Sequence, residues 1–276
     1  AALGDAVTGF GRRAGLVVRL WLVAASVATA ATASAADRHL LVVWGVPGSA
    51  EHAARQAVWV ERLVAAAKGP LGIAPERTVV LSGEGGPAGA RATRENVQAA
   101  LARLQAVAGA DDLVCIVLVG HGSFDGVDAK FNLVGPDLEA GEWAALLRPV
   151  RARVVLVNTA SASAPFLSRL AGPRRVVITA TATPAQRYDT VFAEFFGSAF
   201  ADPEADLDKD RRVSIWEAFA FASARVKRHY EQRGQLATER AVLDDTGDGI
   251  GKEAGELGPD GAVASRLFLD AGPEAE

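Results

Sequence analysis

Five short apolar runs, four of them followed by a segment with helical spacing, constrain the fold of this chain more than any other feature. The runs lie at 39–45, 77–83, 112–122, 152–158 and 174–181. The third run, which contains "LVCIVLV", has no alternation with polar residues, as expected for a strand that is covered on both faces. Strands that alternate with helices favour a parallel sheet joined by right-handed crossovers. The sequence therefore predicts an α/β three-layer sandwich with a mainly parallel central sheet and helices on both faces.

The composition provides for one large core and argues against nucleic-acid partners. Of the 276 residues, 50% are hydrophobic and 22% are charged, which is enough apolar material for a sizeable core. The net charge of -4 gives no basic field of the kind that displaces counterions from phosphate. We expect a single domain at 36–257, followed by a tail at 258–276 that is poorly ordered apart from a short apolar run at 265–269.

The first 35 residues have the three parts of an export signal. Three arginines precede an apolar segment at 20–31, and small residues at 33–35 suit cleavage before Ala36. The alternative is an uncleaved membrane anchor, but the apolar segment is shorter than the roughly 20 residues that span a bilayer. We expect a periplasmic or extracellular protein that contacts a membrane only if this signal stays uncleaved.

Cys115 is the single cysteine of the sequence. A thiol surrounded by Val, Ile and Leu has a raised pKa and little reactive thiolate. We therefore expect an inert core thiol, and stability that comes from the core and not from disulfide bonds.

Two of the predicted strands end in segments that suit a functional site. The third strand ends in "GHGSFDG" at 120–126, where the flanking glycines let backbone and ligand approach His121 closely. The fourth strand runs into "NTASASA" at 158–164, which contains Ser161. Ligands of open parallel sheets bind beyond the carboxyl ends of the strands, so we expect His121 and Ser161 to lie opposite each other.

These two segments resemble the legumain-type cysteine peptidases of the caspase clan. Residues 121–126 reproduce the H-G-S-x-x-G pattern around the catalytic histidine of that family, and "TASASA" at 159–164 aligns with its E-A-C-E-S-G segment. The alignment places Ser161 at the position of the catalytic cysteine. The similarity extends over roughly 39–200 and includes "TRENVQAAL" and "VVITATATP". It implies a caspase-like three-layer sandwich in a divergent, exported homologue with serine in place of cysteine.

The resemblance also implies a role for each matching residue. In that family the histidine is acid and base for the cysteine, and backbone N–H groups hold the oxyanion. On this chain His121 takes the histidine role, Ser161 takes the nucleophile position, and the N–H groups of Gly122 and Ser161 form the oxyanion hole. A serine hydroxyl is almost wholly un-ionised at neutral pH and reacts only beside a closely bonded base.

Other positions depart from the family pattern. Pro47 falls near the asparagine that helps to orient the histidine, and it has no side-chain hydrogen-bonding group. Thr159 and Ala162 replace the acidic residues that flank the cysteine. Arg55 aligns with the pocket arginine of the family only if a gap is allowed. The pocket that selects asparagine in the family is therefore unsupported.

Three functions follow as hypotheses, and they leave open whether the protein is an enzyme. The first is a catalytically silent peptidase homologue that keeps a peptide-binding cleft around His121. The second is an active serine peptidase or acyl hydrolase that uses a Ser161-His121 dyad. The third is a calcium-stabilised interaction module in which the former active site is vestigial.

The segment "DLDKDRRVSIWE" at 206–217 has the spacing of an EF-hand calcium loop. Oxygen ligands fall at loop positions 1, 3, 5, 7, 9 and 12, which are Asp206, Asp208, Asp210, the carbonyl of Arg212, Ser214 and Glu217. Arg211 stands at position 6, where glycine normally adopts a left-handed conformation at less cost. The alternative is an acidic surface turn whose Glu217 belongs to the next helix. A second acidic turn, "DDTGDGIG" at 244–251, lacks a terminal glutamate, and we expect an ordinary loop there.

Overall fold

The structure is a computed structural model that describes residues 36–83 and 90–272. The predicted export signal at 1–35 lies outside the described residues. Within the described part, every helix is too short or too polar to cross a lipid bilayer.

Ten strands of the described residues form two sheets. In chain order they are β1 (Arg38–Trp44), β2 (Thr78–Ser82), β3 (Ala90–Arg91), β4 (Leu113–Val119), β5 (Gly122–Phe124), β6 (Ala129–Phe131), β7 (Leu138–Glu139), β8 (Arg153–Asn158), β9 (Arg175–Thr179) and β10 (Val242–Asp244). The central sheet has the order β10-β9-β8-β4-β1-β2-β3, and a small sheet has the order β5-β6-β7. The central strands run parallel except β10, which is antiparallel to β9.

Six α-helices cover the two faces of the central sheet. They are α1 (Ala50–Lys68), α2 (Arg94–Val107), α3 (Ala140–Leu147), α4 (Ala164–Leu170), α5 (Phe192–Ala199) and α6 (Ile215–Gln232). Helices α1, α5 and α6 pack in one apolar cluster, and α2, α3 and α4 pack in another. The expected α/β three-layer sandwich with a mainly parallel sheet is confirmed.

Alternation along the buried strands explains the two clusters. Leu40 and Val42 of β1 join the cluster of α1, whereas Leu41 and Val43 join the cluster of α2. Successive side chains of a strand point to opposite faces, so a strand that is apolar at every position must be covered twice. Cys115 of β4 is fully buried, and this burial raises the pKa of its thiol to about 12, in keeping with an inert core residue.

Residues 259–272 are packed, which contradicts the expectation of a poorly ordered tail outside the apolar run at 265–269. Ala264 is fully buried, and the N–H groups of Gly261 and Ala264 donate to the carboxylate of Asp245 at 3.0 and 2.7 Å. The guanidinium of Arg212 pairs with the carboxylate of Asp270 at 2.8 and 3.0 Å. The prediction was based on the glycine and proline content of this segment. That content does not reveal that the few apolar residues of the segment pack in the cluster that contains α6.

Candidate functional site

The carboxyl ends of β4 and β8 bring the two predicted site residues to the same edge of the sheet. Leu118 of β4 is the register partner of Asn158 of β8. His121 lies three residues after Leu118, and Ser161 lies three residues after Asn158. Because β4 and β8 are parallel, both residues follow the same edge of the sheet. The backbone of Thr159 continues the pairing through an N–H···O bond to Leu118 at 3.0 Å.

Ser161 is turned towards the backbone of Gly122. Its hydroxyl donates to the carbonyl oxygen of Gly122 at 3.1 Å and accepts from the N–H of the same residue at 3.4 Å. The residue is only 4% exposed. The hydroxyl of Ser161 therefore accepts the hydrogen bond of the Gly122 N–H, which is one of the two N–H groups that the resemblance assigns to the oxyanion hole.

His121 has its hydrogen-bonding partners elsewhere. Its Nε2 atom donates to the carbonyl oxygen of Pro47 at 2.8 Å. Its Nδ1 atom lies 3.5 Å from Oδ1 of Asp189. The backbone of Pro47 thus holds the imidazole of His121. The structure brings His121 and Ser161 to neighbouring positions but forms no hydrogen bond between them.

Gly122 fits between these groups because it has no side chain. A Cβ atom at this position would lie 2.5 Å from the carbonyl oxygen of Ser161 and 3.0 Å from that of Lys130. Carbon atoms do not approach backbone oxygens this closely, so the glycine keeps the ends of β4 and β8 in contact. Ala162, which directly follows Ser161, adopts a positive φ of 52°.

Two residues that the sequence did not single out complete this site. His52, in the first turn of α1, pairs through Nε2 with Oδ2 of Asp189, and the rings of His52 and His121 lie 5.0 Å apart. The guanidinium of Arg55 is 3.7 Å from the same carboxylate oxygen. A signal for both residues exists in the sequence, because His52 and Asp189 follow the carboxyl ends of predicted strands, where ligands of parallel sheets bind.

The cavity between these side chains is small. Its volume is about 10 Å³, which is roughly the space of one water molecule. Its lining includes Arg55 and Trp59 of α1 together with Thr159 and Thr190. The cavity is too small for an amino-acid side chain. Among the charged groups around it, the carboxylate of Asp189 is on a half-exposed side chain.

The acidic loop at 206–217 is closed by hydrogen bonds from its own backbone N–H groups to its aspartate side chains. Oδ2 of Asp206 accepts the N–H of Arg211 at 3.1 Å, and Oδ1 of Asp210 accepts the N–H of Arg212 at 2.8 Å. Arg211 has a φ of 72°, the left-handed conformation expected at position 6. Carboxylate oxygens of Asp206, Asp208 and Asp210 lie within 4.8 Å of one another.

The remaining predicted ligands of this loop bond to each other. Oε2 of Glu217 accepts from both the N–H and the hydroxyl of Ser214 at 2.8 Å, and Oε1 accepts the N–H of Leu207 at 2.8 Å. These bonds make Glu217 part of the capping box that begins α6. Oδ1 of Asp206, in contrast, is buried without a hydrogen-bond partner in the described structure.

The second acidic turn repeats the same backbone pattern. Oδ2 of Asp244 accepts the N–H of Gly249 at 2.8 Å, and Oδ1 of Asp248 accepts the N–H of Ile250 at 2.8 Å. Gly247 and Gly249 both have a φ of 80°. The first carboxylate of each turn thus bonds the N–H five residues later, although only the first turn ends in a glutamate.

Comparisons with known proteins give similarity at the level of structure only. No protein-family profile matches the chain. No curated protein matches it either. A structural-genomics protein from Geobacter sulfurreducens is 14% identical with a TM-score of 0.45, over 79% of this chain and 97% of that one. The Drosophila initiator caspase Dronc is 13% identical with a TM-score of 0.49, over 86% of this chain and 84% of that one.

Proposed function

We propose that this protein is an exported, catalytically silent relative of the legumain-type peptidases, which binds a peptide at the cleft beside His121 without cleaving it. One observation carries the proposal. The hydroxyl of Ser161 and the imidazole of His121 are neighbours, yet each makes its hydrogen bonds to other groups.

The chemistry of these bonds supports a silent site. An alcohol becomes a useful nucleophile only when a base takes its proton during attack. The proton of Ser161 points to the carbonyl oxygen of Gly122, which is no base at neutral pH. The hydroxyl is also buried, whereas attack needs reacting atoms about 3–3.5 Å apart. Hydrolysis by a Ser161-His121 dyad would require both residues to exchange their present hydrogen-bonding partners for each other.

The position of β5 supports peptide binding. This strand begins at Gly122, directly after His121, and pairs with β6 on one side. Among the described strands it is the end of its sheet, and an extended peptide can add to such an edge through main-chain hydrogen bonds. Ser123 in the middle of β5 is exposed. The charged groups of Asp189 and Arg55 near the strand then give a bound peptide its polar contacts.

The test compares cleavage with binding in the same peptide library. We expect no cleavage by the native protein or by Ser161→Ala, and retention of a subset of peptides by both. A Phe124→Pro substitution, which removes a backbone N–H of β5 that faces away from β6, should lose the retained peptides. Phe124→Ala, which keeps this N–H, is the matched control and should retain them. Cleavage by the native protein that disappears in Ser161→Ala would establish the serine peptidase instead.

A calcium-binding loop at 206–217 is a second proposal, which is compatible with the first. The left-handed Arg211 and the partnerless carboxylate oxygen of Asp206 support it. A cation at this position would be bound by the three aspartates and the carbonyl of Arg212, with Ser214 and Glu217 completing the set after a change of rotamer.

Thermal unfolding in calcium and in chelator tests this loop. A ligand that binds only the folded state raises the melting temperature, by roughly 2–4 °C for each kcal/mol in a domain of this size. We expect the shift in the native protein and its loss in Asp206→Asn. The exposed Glu61→Gln, on α1, is the control and should keep the shift. An equal response of Asp206→Asn and native protein would disprove this site.

A further inference from the structure

We propose that His52, His121 and Asp189 form a binding site for a divalent transition-metal ion, with zinc as the best fit. The three residues come from different segments, namely the first turn of α1, the end of β4 and the segment before α5. This site shares His121 and Asp189 with the proposed peptide cleft, but it does not depend on a bound peptide and is separate from the acidic loop at 206–217.

The ligand atoms have the spacing that a metal ion requires. One ring nitrogen of His52, one ring nitrogen of His121 and one carboxylate oxygen of Asp189 all lie within 4.8 Å of one another. A tetrahedral zinc ion at about 2.0–2.1 Å from each ligand holds its ligand atoms about 3.4 Å apart. The observed distance from Nδ1 of His121 to Oδ1 of Asp189 is 3.5 Å. The half-exposed side chain of Asp189 has room to adjust around an ion.

The hydrogen bond of His121 to the backbone directs the correct nitrogen to the centre. Its Nε2 atom must carry a hydrogen, because its partner, the carbonyl oxygen of Pro47, can only accept. In the neutral ring Nδ1 is then an acceptor, and it faces a carboxylate oxygen that is also an acceptor. Either a hydrogen on Nδ1 or a metal ion between the two atoms would make this contact favourable. Metal-binding histidines are typically held in this way, by donation from the second nitrogen to a carbonyl or carboxylate.

His52 is held by a comparable contact. Its Nδ1 atom lies 3.1 Å from the hydroxyl of Ser49, the residue that also caps α1 by accepting the N–H of His52. This contact fixes the ring so that Nε2 points to Asp189. Both histidines therefore have one nitrogen bound to a supporting group and the other directed to the same carboxylate.

The ligand set selects the class of metal. Two imidazoles and one carboxylate suit zinc, copper, nickel or cobalt, whereas calcium and magnesium prefer oxygen ligands alone. Arg55 is a competing cation at 3.7 Å from Asp189, but it also lies 3.7 Å from Glu51, which can take its charge when a metal ion binds. Three protein ligands leave a fourth coordination position, which faces the small cavity.

The test is a zinc titration of the full chain by calorimetry, without peptide and with calcium in excess so that the carboxylate loops do not take up zinc. Cobalt in place of zinc gives a visible absorption spectrum that reports four-coordinate geometry. We expect one ion per chain in the native protein. His52→Ala and Asp189→Asn should each weaken binding at least about tenfold and change the cobalt spectrum.

His229→Ala is the matched control, because His229 is a partly buried histidine outside the cluster, and it should bind zinc like the native protein. Circular dichroism checks that the His52 and Asp189 variants are folded. His52→Gln is the second variant if His52→Ala is unstable. No zinc binding by the native protein, or equal affinity in the native protein and His52→Ala, would overturn the site. Either result leaves the peptide-binding proposal untouched.

Discussion

Gly122 shows how a single residue determines the geometry of the cleft. It accepts and donates the bonds that hold the Ser161 hydroxyl, and its missing side chain allows the two strand ends to touch. His121 depends on the same arrangement, because it precedes Gly122 and reaches back to Pro47. The chemistry of the site is therefore decided by backbone positions as much as by the side chains that the family pattern highlights.

Gly122→Ala should destabilise the protein by roughly 1–3 kcal/mol, because the new methyl group overlaps the carbonyl oxygens of Ser161 and Lys130. Urea denaturation measures the effect. Gly141→Ala is the control, since a Cβ atom at Gly141 meets nothing within 4 Å and alanine is the better helix former in α3. Equal stability of the two variants would show that the contact at Gly122 is looser than described.

At the scale of elements, a buried carboxylate connects three parts of the fold. Glu239 accepts the N–H groups of Val191 and Phe192 at 2.7 and 3.2 Å, at the start of α5, and the hydroxyl of Tyr230 at 3.2 Å, on α6. Burial raises the pKa of Glu239 to about 7, although these hydrogen bonds act in the opposite direction. The start of α5, which follows Asp189 in sequence, is thus held by a group that titrates near neutrality.

This raised pKa predicts a pH dependence of stability. The folded protein binds the proton of Glu239 more tightly than the unfolded chain, so the contribution of this residue to stability falls as pH rises from about 4.5 to 7. The shift corresponds to about 3 kcal/mol in order of magnitude. We expect the difference in unfolding free energy between the native protein and Glu239→Gln to decrease by this amount over that range. A difference that does not change with pH would contradict the prediction.

At the scale of the whole molecule, the chain after β10 closes the fold against α6 and β1. The Asp245 carboxylate accepts the N–H groups of Gly261, Val263 and Ala264. Further along, the guanidinium of Arg212 stacks 3.7 Å above the ring of Phe268. Arg212 therefore connects the acidic loop at 206–217 with the C-terminal segment.

Leu269→Ala should cost about 2–5 kcal/mol in unfolding free energy, since it removes a fully buried side chain from the core of α1, α5 and α6. Leu257→Ala provides the matched control, because Leu257 is 99% exposed and its truncation should change stability by less than about 0.5 kcal/mol. Chemical denaturation at equilibrium compares the two. A small effect of Leu269→Ala would mean that the segment after Gly258 contributes little to the fold.

The sequence by itself determined those features that depend on neighbouring residues. The apolar runs predicted the strands and the layers, because a strand that is apolar on both faces must be covered twice. The carboxylate spacing indicated a tight acidic loop at 206–217, with Arg211 as its weak position, and the structure gives Arg211 a φ of 72°. The order of the elements suggested that His121 and Ser161 follow neighbouring strands, and the register of β4 and β8 gives the two residues equal offsets.

Only the tertiary structure decided which groups these two residues contact. His52 and Asp189 are 137 residues apart, and they meet at His121 because the strand order brings the segments after β1, β4 and β9 to one edge of the sheet. The carbonyl of Pro47 holds the imidazole of His121, a contact that a residue pattern does not reveal. Hydrogen bonds are short-ranged and directional, so a small change in loop position decides whether Ser161 bonds to His121 or to Gly122.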